Sequence, residues 1–197
     1  MRTKPLAVLC VFFLAACGGS AGHGSYDHGE LIGVGMPKTH PDPLVQRSIV
    51  FLQPESGERL TAVYFHDGHY DLTVLRAIDR LFRDRRANAT AKIDPELIDF
   101  LVDIRTRLDL PPSVTFEVLS GYRTPESNIL LAQHNSNVAI ESLHTRGWAV
   151  DFRIPGVDGR AIAAVAKTME RGAAVFYPGS NHVHVDIGNI RTWHEKS

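Results

Sequence analysis

From Leu44 onward, the pattern of apolar residues indicates regular structure. The first element that it predicts is a β-hairpin. Residues 48–52 (SIVFL) and 60–64 (LTAVY) are rich in β-branched and aromatic side chains, as strands are. Residues 54–58 (PESGE) lie between them and have the composition of a turn. These two strands are therefore expected to pair antiparallel.

Two helices are predicted after the hairpin, because apolar residues recur at spacings of three and four. The first follows Asp71 and the second follows Asp94, and both aspartates are suitable N-caps. Pro95 occupies the first position of the second helix, where a missing amide proton is tolerated. Neither helix carries a cluster of reactive side chains, so both are interpreted as scaffold.

Strand and helix signals mix in the second half of the chain. Strands are predicted at residues 114–120, 148–154 and 183–187, and helices begin near residues 124 and 159. Helices first and then strands around a helix indicate an α+β domain. The expected architecture is a small antiparallel sheet with helices packed on one side.

The first residues follow a different pattern and are predicted to be a secretory signal. Arg2 and Lys4 precede an apolar run at residues 6–13. The run is too short to span a bilayer, which takes roughly 20 residues. No part of the globular domain is expected here.

The signal ends in residues 14–17 (LAAC), which resemble a bacterial lipobox. We therefore expect removal of residues 1–16 and acylation of Cys17. Residues 17–43 are rich in Gly, Ser, His and Pro and are interpreted as a flexible tether. The domain is then anchored on the periplasmic side of the cell envelope, and Gly18 after the cysteine favours the outer membrane.

The length and composition of the chain indicate one globular domain, which we place at residues 44–197. The formal charge of −1 and the scattered Lys and Arg give no basic surface for nucleic acid. Removal of Arg2 and Lys4 with the signal takes the charge from −1 to −3. The two cysteines are Cys10 and Cys17, so the mature domain has no disulfide, and a metal would need His and carboxylate ligands.

Two predicted strands carry His and Asp on their polar faces. Asp151 alternates with apolar neighbours in one strand, and His182, His184 and Asp186 share a face of the other. A hydrolytic zinc site needs three nitrogen or oxygen ligands and an open position for water. His144, Asp151 and His184 can supply that set, although the spacing alone is weakly specific.

The motif Ser-x-His-x-x-Gly-x-Ala-x-Asp at residues 142–151, followed by His-x-His at 182–184, resembles the LAS metallopeptidases. This family includes D-Ala-D-Ala carboxypeptidases and murein endopeptidases and has a hedgehog-like fold. The resemblance is closest to the murein endopeptidase K branch and covers about residues 47–193. Further matching segments are residues 56–58 (SGE), 82–86 (FRDRR), 120–124 (SGYRT), 177–178 (YP) and 191–193 (RTW).

The resemblance implies that His144, Asp151 and His184 bind one zinc ion on the polar face of the sheet. It also implies that Arg123 polarises the substrate carbonyl and stabilises the oxyanion, a task suited to a fixed guanidinium. Ser142 is expected to orient the loop that carries the first ligand.

The group that activates water is left open by the sequence. Many LAS peptidases have a glutamate in E-x-x-H before the last ligand, and Asn181 occupies that position here. His182 is the remaining candidate for the proton acceptor, since it shares a strand face with His184. Asp186 is expected to orient a histidine ligand.

The expected activity is zinc-dependent hydrolysis of amide bonds in peptidoglycan cross-links by a monomer. One alternative is a D,D- or L,D-carboxypeptidase or dipeptidase that acts on stem peptides. Another is a non-catalytic, zinc-stabilised peptidoglycan-binding lipoprotein, which the missing E-x-x-H glutamate leaves open. A structural lipoprotein without metal is the third.

Overall fold

The structure, a computed structural model, describes residue 42 and residues 44–135 and 138–189. All of the candidate ligand, catalytic and orienting residues lie within these ranges. The predicted signal peptide and Cys17 lie outside them, as do most of the predicted tether and residues 191–193. The predictions for those segments stay predictions.

Seven strands form one sheet in the residues that the structure describes. The strands are β1 (Arg47–Leu52), β2 (Arg59–His66), β3 (His69–Tyr70), β4 (Phe116–Ser120), β5 (Ala149–Arg153), β6 (Ala174–Tyr177) and β7 (His182–Asp186). Their order across the sheet is β3-β2-β1-β4-β5-β7-β6. Among these pairs only β1 and β4 run parallel, and the helices between them in the chain provide the crossover that a parallel pair requires.

Four α-helices accompany the sheet in the described part of the chain. They are α1 (Leu72–Leu81), α2 (Pro95–Arg107), α3 (Pro125–His134) and α4 (Gly159–Thr168). The predicted caps of the first two helices are confirmed, since Asp71 and Asp94 accept hydrogen bonds from amides of the first turn. No helix in the described ranges combines the length and apolar character needed to cross a bilayer.

The hydrophobic core lies between one face of the sheet and helices α1, α2 and α4. Val150 and Phe152 of β5 and Val183 and Val185 of β7 are fully buried in it. Side chains alternate along a strand, so Asp151, which follows Val150, faces the opposite side of the sheet. The predicted α+β class is confirmed, and the polar strand face is available for a site.

The sequence pattern missed two short strands. β3 has two residues and β6 has four, which is too few to establish a period of two. β6 forms because all four of its residues pair with β7, where Val175 lies opposite His184 and Tyr177 lies opposite His182. Pairing with a neighbour, which local sequence does not encode, defines this strand.

Candidate metal centre

His144, Asp151 and His184 converge although they belong to three different elements. His144 lies in a short 3₁₀ helix, Leu143–Arg146, whereas Asp151 and His184 are opposite each other on β5 and β7. His184 Nδ1 is 2.8 Å from Asp151 Oδ1, and His144 Nε2 is 3.2 Å from His184 Nδ1 and 3.3 Å from Asp151 Oδ1. Among the described residues this is the one group of three or more such side chains whose donor atoms could hold a metal ion.

The ring of His144 is fixed by a main-chain oxygen. Its Nδ1 lies 2.7 Å from the carbonyl oxygen of Gly121, and the side chain is buried. A carbonyl can only accept, so Nδ1 carries the proton and donates it, which leaves the lone pair on Nε2. That nitrogen faces Asp151 and His184, as a metal ligand must.

His184 is oriented in the same way by Asp186. His184 Nε2 lies 3.3 Å from Asp186 Oδ2, so Nδ1 is the nitrogen directed at Asp151. Asp186 is fully buried, and its Oδ1 accepts hydrogen bonds from the amides of Gly188 at 2.9 Å and Ala173 at 3.2 Å. Asp186 therefore occupies the place that the predicted orienting role requires.

Arg123 forms an ion pair with a candidate ligand. Its Nη2 donates to Asp151 Oδ2 at 2.7 Å, and its Nε donates to Ser120 Oγ at 2.9 Å. Only 11% of the side chain is exposed, so this is not a solvent-screened surface pair. Arg123 thus occupies one carboxylate oxygen and leaves Oδ1 for a metal, while its action on a substrate carbonyl stays a prediction.

The loop that carries His144 is held in a tight turn. Ser142 caps the 3₁₀ helix, because its Oγ accepts the His144 amide at 3.3 Å and its carbonyl accepts the Thr145 hydroxyl at 2.6 Å. Gly147 ends the turn with φ of 69°, and a Cβ there would lie 2.3 Å from the carbonyl oxygen of Lys92. Glycine is therefore required at this position of the motif, because φ is positive and because a side chain would collide with the Lys92 carbonyl.

His182 lies beside the three converging residues with a fixed ring. The ring stacks on Tyr177 with a centroid distance of 4.4 Å and an interplanar angle of 8°, and its Nδ1 lies 2.5 Å from Ser180 Oγ. Its Nε2 has no hydrogen-bond partner among the described residues. The ring is thus held from two sides, and when Nδ1 donates to Ser180 Oγ the lone pair of Nε2 is left to accept a proton.

Asn181 has a structural position. Its Oδ1 accepts the Gly159 amide at 2.9 Å and its Nδ2 donates to the Val157 carbonyl at 3.1 Å. These bonds tie the start of β7 to the start of α4. Asn181 is therefore engaged away from the converging ligands and does not replace the missing glutamate.

The electrostatics of the site favour a bound cation. Burial raises the pKa of Asp151, but neighbouring His144 and His184 outweigh it and hold this pKa well below its usual range. Burial lowers the pKa of His144. Burial also lowers the pKa of His184, yet Asp151 and Asp186 outweigh it and raise this pKa to about 9. The two carboxylates thus stabilise positive charge at His184, which a metal ion could supply in place of a proton.

Sequence patterns did not identify every group that orients the site. The Gly121 carbonyl is a main-chain atom, although the Ser-Gly-Tyr-Arg segment that contains it was noted for Arg123. Tyr177 was noted only as part of a matching Tyr-Pro pair, and Ser180 was not noted. Their contacts with His182 depend on the turn between β6 and β7.

Comparisons with known proteins show what the chain is similar to. A family profile described as peptidoglycan L,D-endopeptidase MepK matches residues 43–193. The chain is 37% identical to "Peptidoglycan L,D-endopeptidase MepK" of Escherichia coli strain K12 over 138 residues, 70% of this chain and 75% of that protein. It is 35% identical to "Probable peptidoglycan L,D-endopeptidase MepK" of Haemophilus influenzae over 147 residues, 75% of this chain and 78% of that protein. No solved structure gives a significant match.

Proposed function

The chain belongs to the peptidoglycan L,D-endopeptidase MepK family, and from this premise we propose that it is a zinc-dependent hydrolase of amide bonds in peptidoglycan cross-links. The names of its relatives support cleavage of an amide bond between an L-amino acid and a D-amino acid. The observation that carries the proposal is the convergence of His144, Asp151 and His184 on the polar face of the sheet.

The donor set fits zinc. Zinc in proteins prefers tetrahedral sites with His nitrogen and carboxylate oxygen at about 2.0–2.2 Å, so neighbouring donors lie about 3.3–3.5 Å apart. Two of the three donor separations, 3.2 and 3.3 Å, are close to those tetrahedral edges, and the third, between Asp151 Oδ1 and His184 Nδ1, is shorter at 2.8 Å. Three ligands leave one position open, which is typical of catalytic rather than structural zinc.

The residues of the chain then have distinct tasks in the reaction. When bound, zinc supplies Lewis acidity, which polarises the scissile carbonyl and makes water acidic enough to attack at neutral pH. Arg123 holds Asp151 by one carboxylate oxygen and stabilises negative charge that develops on the carbonyl oxygen. His182 accepts a proton from the attacking water through Nε2 and returns it to the leaving amine.

The test combines metal analysis and product analysis on one sample of residues 17–197 with Cys17→Ser. We expect about one zinc per chain, and cleavage of dimeric muropeptides linked through an L-to-D amide bond in preference to those linked D-to-D. His144→Ala should lose both zinc and cleavage, whereas His134→Ala, at an exposed histidine of α3, should keep both.

Three other outcomes would each count against the proposal. Release of single terminal residues would indicate a carboxypeptidase. Muropeptide binding with bound zinc but no product would indicate a binding lipoprotein. Absence of zinc after reconstitution would indicate a structural lipoprotein without metal.

We also propose that Cys17 is acylated and anchors the domain on the periplasmic side of the envelope. The support is the lipobox-like segment before Cys17 and the tether composition after it. A Cys17→Ser chain should leave the membrane fraction while its zinc content stays the same. Retention of that variant in the membrane fraction would contradict the proposal.

A further inference from the structure

A loop far from the metal ligands in sequence contacts the segment that orients them. This clamp loop, residues 82–89, follows α1 and is closed by reciprocal backbone hydrogen bonds between Asp84 and Ala89. The Phe82 carbonyl accepts the Tyr122 amide at 2.7 Å. A Cβ at Gly121 would lie 2.5 Å from the same carbonyl oxygen, so the two backbones are in close contact.

The carboxylate of Asp84 makes the second link between the clamp loop and this segment. Its Oδ2 accepts the Thr124 amide at 2.8 Å and the Thr124 hydroxyl at 3.1 Å. Its Oδ1 accepts the amides of Arg86 and Ala87 at 3.0 and 3.3 Å, and Ser127 donates a further hydrogen bond. Asp84 is 4% exposed, and uncharged donors from two segments supply the hydrogen bonds that a buried carboxylate requires.

Both oxygens of Asp84 are needed as acceptors. Burial raises the pKa of this carboxyl, but the hydrogen bonds from Ser127, Thr124 and Ala87 outweigh burial and lower the pKa. An asparagine has the same shape, yet its amide nitrogen would face donors on one side. Asp84→Asn thus disrupts the hydrogen bonds to one of the two carboxylate oxygens and keeps the volume of the side chain.

The segment held by Asp84 contains the groups that orient the metal ligands. Gly121 accepts from His144 Nδ1, and the Arg123 amide donates to the His144 carbonyl at 3.2 Å. The Arg123 side chain pairs with Asp151. Thr124, which Asp84 holds by two hydrogen bonds, is the residue directly after Arg123.

We infer that Asp84 is a positioning residue of the site: by fixing Thr124, it sets the position of the Arg123 guanidinium against Asp151. The kinetic consequence of this inference rests on the proposed function, whereas the structural consequence does not. Asp84 itself has no described contact with the three candidate ligands, so it acts through Arg123.

The structural consequence is tested by NMR of residues 17–197 with Cys17→Ser, recorded with and without zinc so that the result does not depend on metal binding. The Nε–H of Arg123 donates to Ser120 and should give a slowly exchanging signal, which is assigned by its loss in Arg123→Lys. In Asp84→Asn we expect this signal to shift and its exchange with water to accelerate at least about tenfold. An unchanged shift and exchange rate would overturn the inference.

The matched control is Asp99→Asn. Asp99 is also a buried carboxylate, but it accepts from the hydroxyls of Tyr64 and Tyr70 and pairs with Arg47. This variant should leave the Arg123 signal unchanged even if it unfolds more readily. If Asp84→Asn does not fold, Thr124→Val removes the hydroxyl that bonds Asp84 and also caps α3 at the Ser127 amide, and it should accelerate exchange. Thr124→Ser keeps both bonds and should not.

The kinetic consequence is tested by a double-mutant cycle. Asp84→Asn should lower kcat on a muropeptide dimer about tenfold with little change in KM, because it misplaces a group that acts on the transition state. In an Arg123→Ala background the same substitution should cost less than about twofold, whereas additive losses would overturn the inference. If the wild-type chain cleaves nothing, the proposed function fails, and the NMR result still decides the role of Asp84.

Discussion

Asp151 and His184 lie opposite each other on adjacent antiparallel strands, with Asp151 Oδ1 2.8 Å from His184 Nδ1. The strand register alone therefore brings together two of the three candidate ligands. A slip of one residue would turn one of them into the core, where Val150 and Val185 now pack, so core burial also secures the site.

Loss of charge at Asp151 should affect both metal binding and stability. Asp151→Asn keeps the side-chain volume but removes a ligand and leaves the guanidinium of Arg123 without its ion-pair partner. We expect loss of zinc at micromolar free metal, and a fall of about 1–3 kcal/mol in the free energy of unfolding. Zinc analysis and urea unfolding measure the two effects.

The matched control for this substitution is Asp158→Asn. Asp158 is the exposed N-cap of α4, and asparagine caps helices as well as aspartate does. This control should keep its zinc and its stability. Full zinc occupancy in Asp151→Asn would remove Asp151 from the ligand set.

The stability of the metal-free chain should fall as pH rises from about 6.5 to 9. The pKa of His184 is raised to about 9 in the folded state, so its protonated form stabilises the fold below the unfolded pKa. That contribution, on the order of 3 kcal/mol, is lost as pH increases through about 9. Urea unfolding of chelator-treated protein at several pH values measures it.

His184→Gln is the control for this pH dependence, since it removes the titrating ring. Its metal-free stability should vary much less over the same interval. An equal slope in both proteins would show that another group is responsible.

His182→Ala should separate catalysis from metal binding. Proton transfer by a positioned side chain contributes typically about 10²–10⁴-fold, so kcat should fall by that order while zinc content is unchanged. Ser180→Ala, which removes the contact to His182 Nδ1, should have a smaller effect in the same direction. Wild-type turnover in His182→Ala would exclude this residue as the proton acceptor.

Gly147→Ala should destabilise the loop that carries His144. A left-handed backbone costs a non-glycine residue about 1–2 kcal/mol, and the added methyl also meets the Lys92 carbonyl at 2.3 Å. Gly156→Ala is the matched control, because it has φ of 80° but no atom within 4 Å of the new Cβ. Thermal unfolding should show the larger loss at Gly147, and equal losses would contradict the steric argument.

Some features of the site were predictable because local physics determines them. Alternation along β5 and β7 predicts that Asp151 and His184 lie on one face of the sheet and their apolar neighbours on the other face, and the structure has that arrangement. The caps at Asp71 and Asp94 follow from side-chain hydrogen bonds within one turn. These are contacts between residues close in the chain, and a sequence pattern can report them.

Other features required the tertiary structure, because they join distant parts of the chain. His144 and His184 are 40 residues apart and meet only through the register of β5 and β7 and the turn capped by Ser142. The pairing of Arg123 with Asp151 spans 28 residues, and the hold of Asp84 on Thr124 spans 40.

The sequence by itself determined the element types, the polar strand faces and, through its motifs, the set of residues that could bind a metal. Only the tertiary structure decided which nitrogen of each histidine faces the centre, that Asn181 is engaged with α4, and which carboxylate holds the orienting segment. The reason is physical: periodicity reports the burial of each residue, whereas donor directions and distances depend on long-range hydrogen bonds between elements.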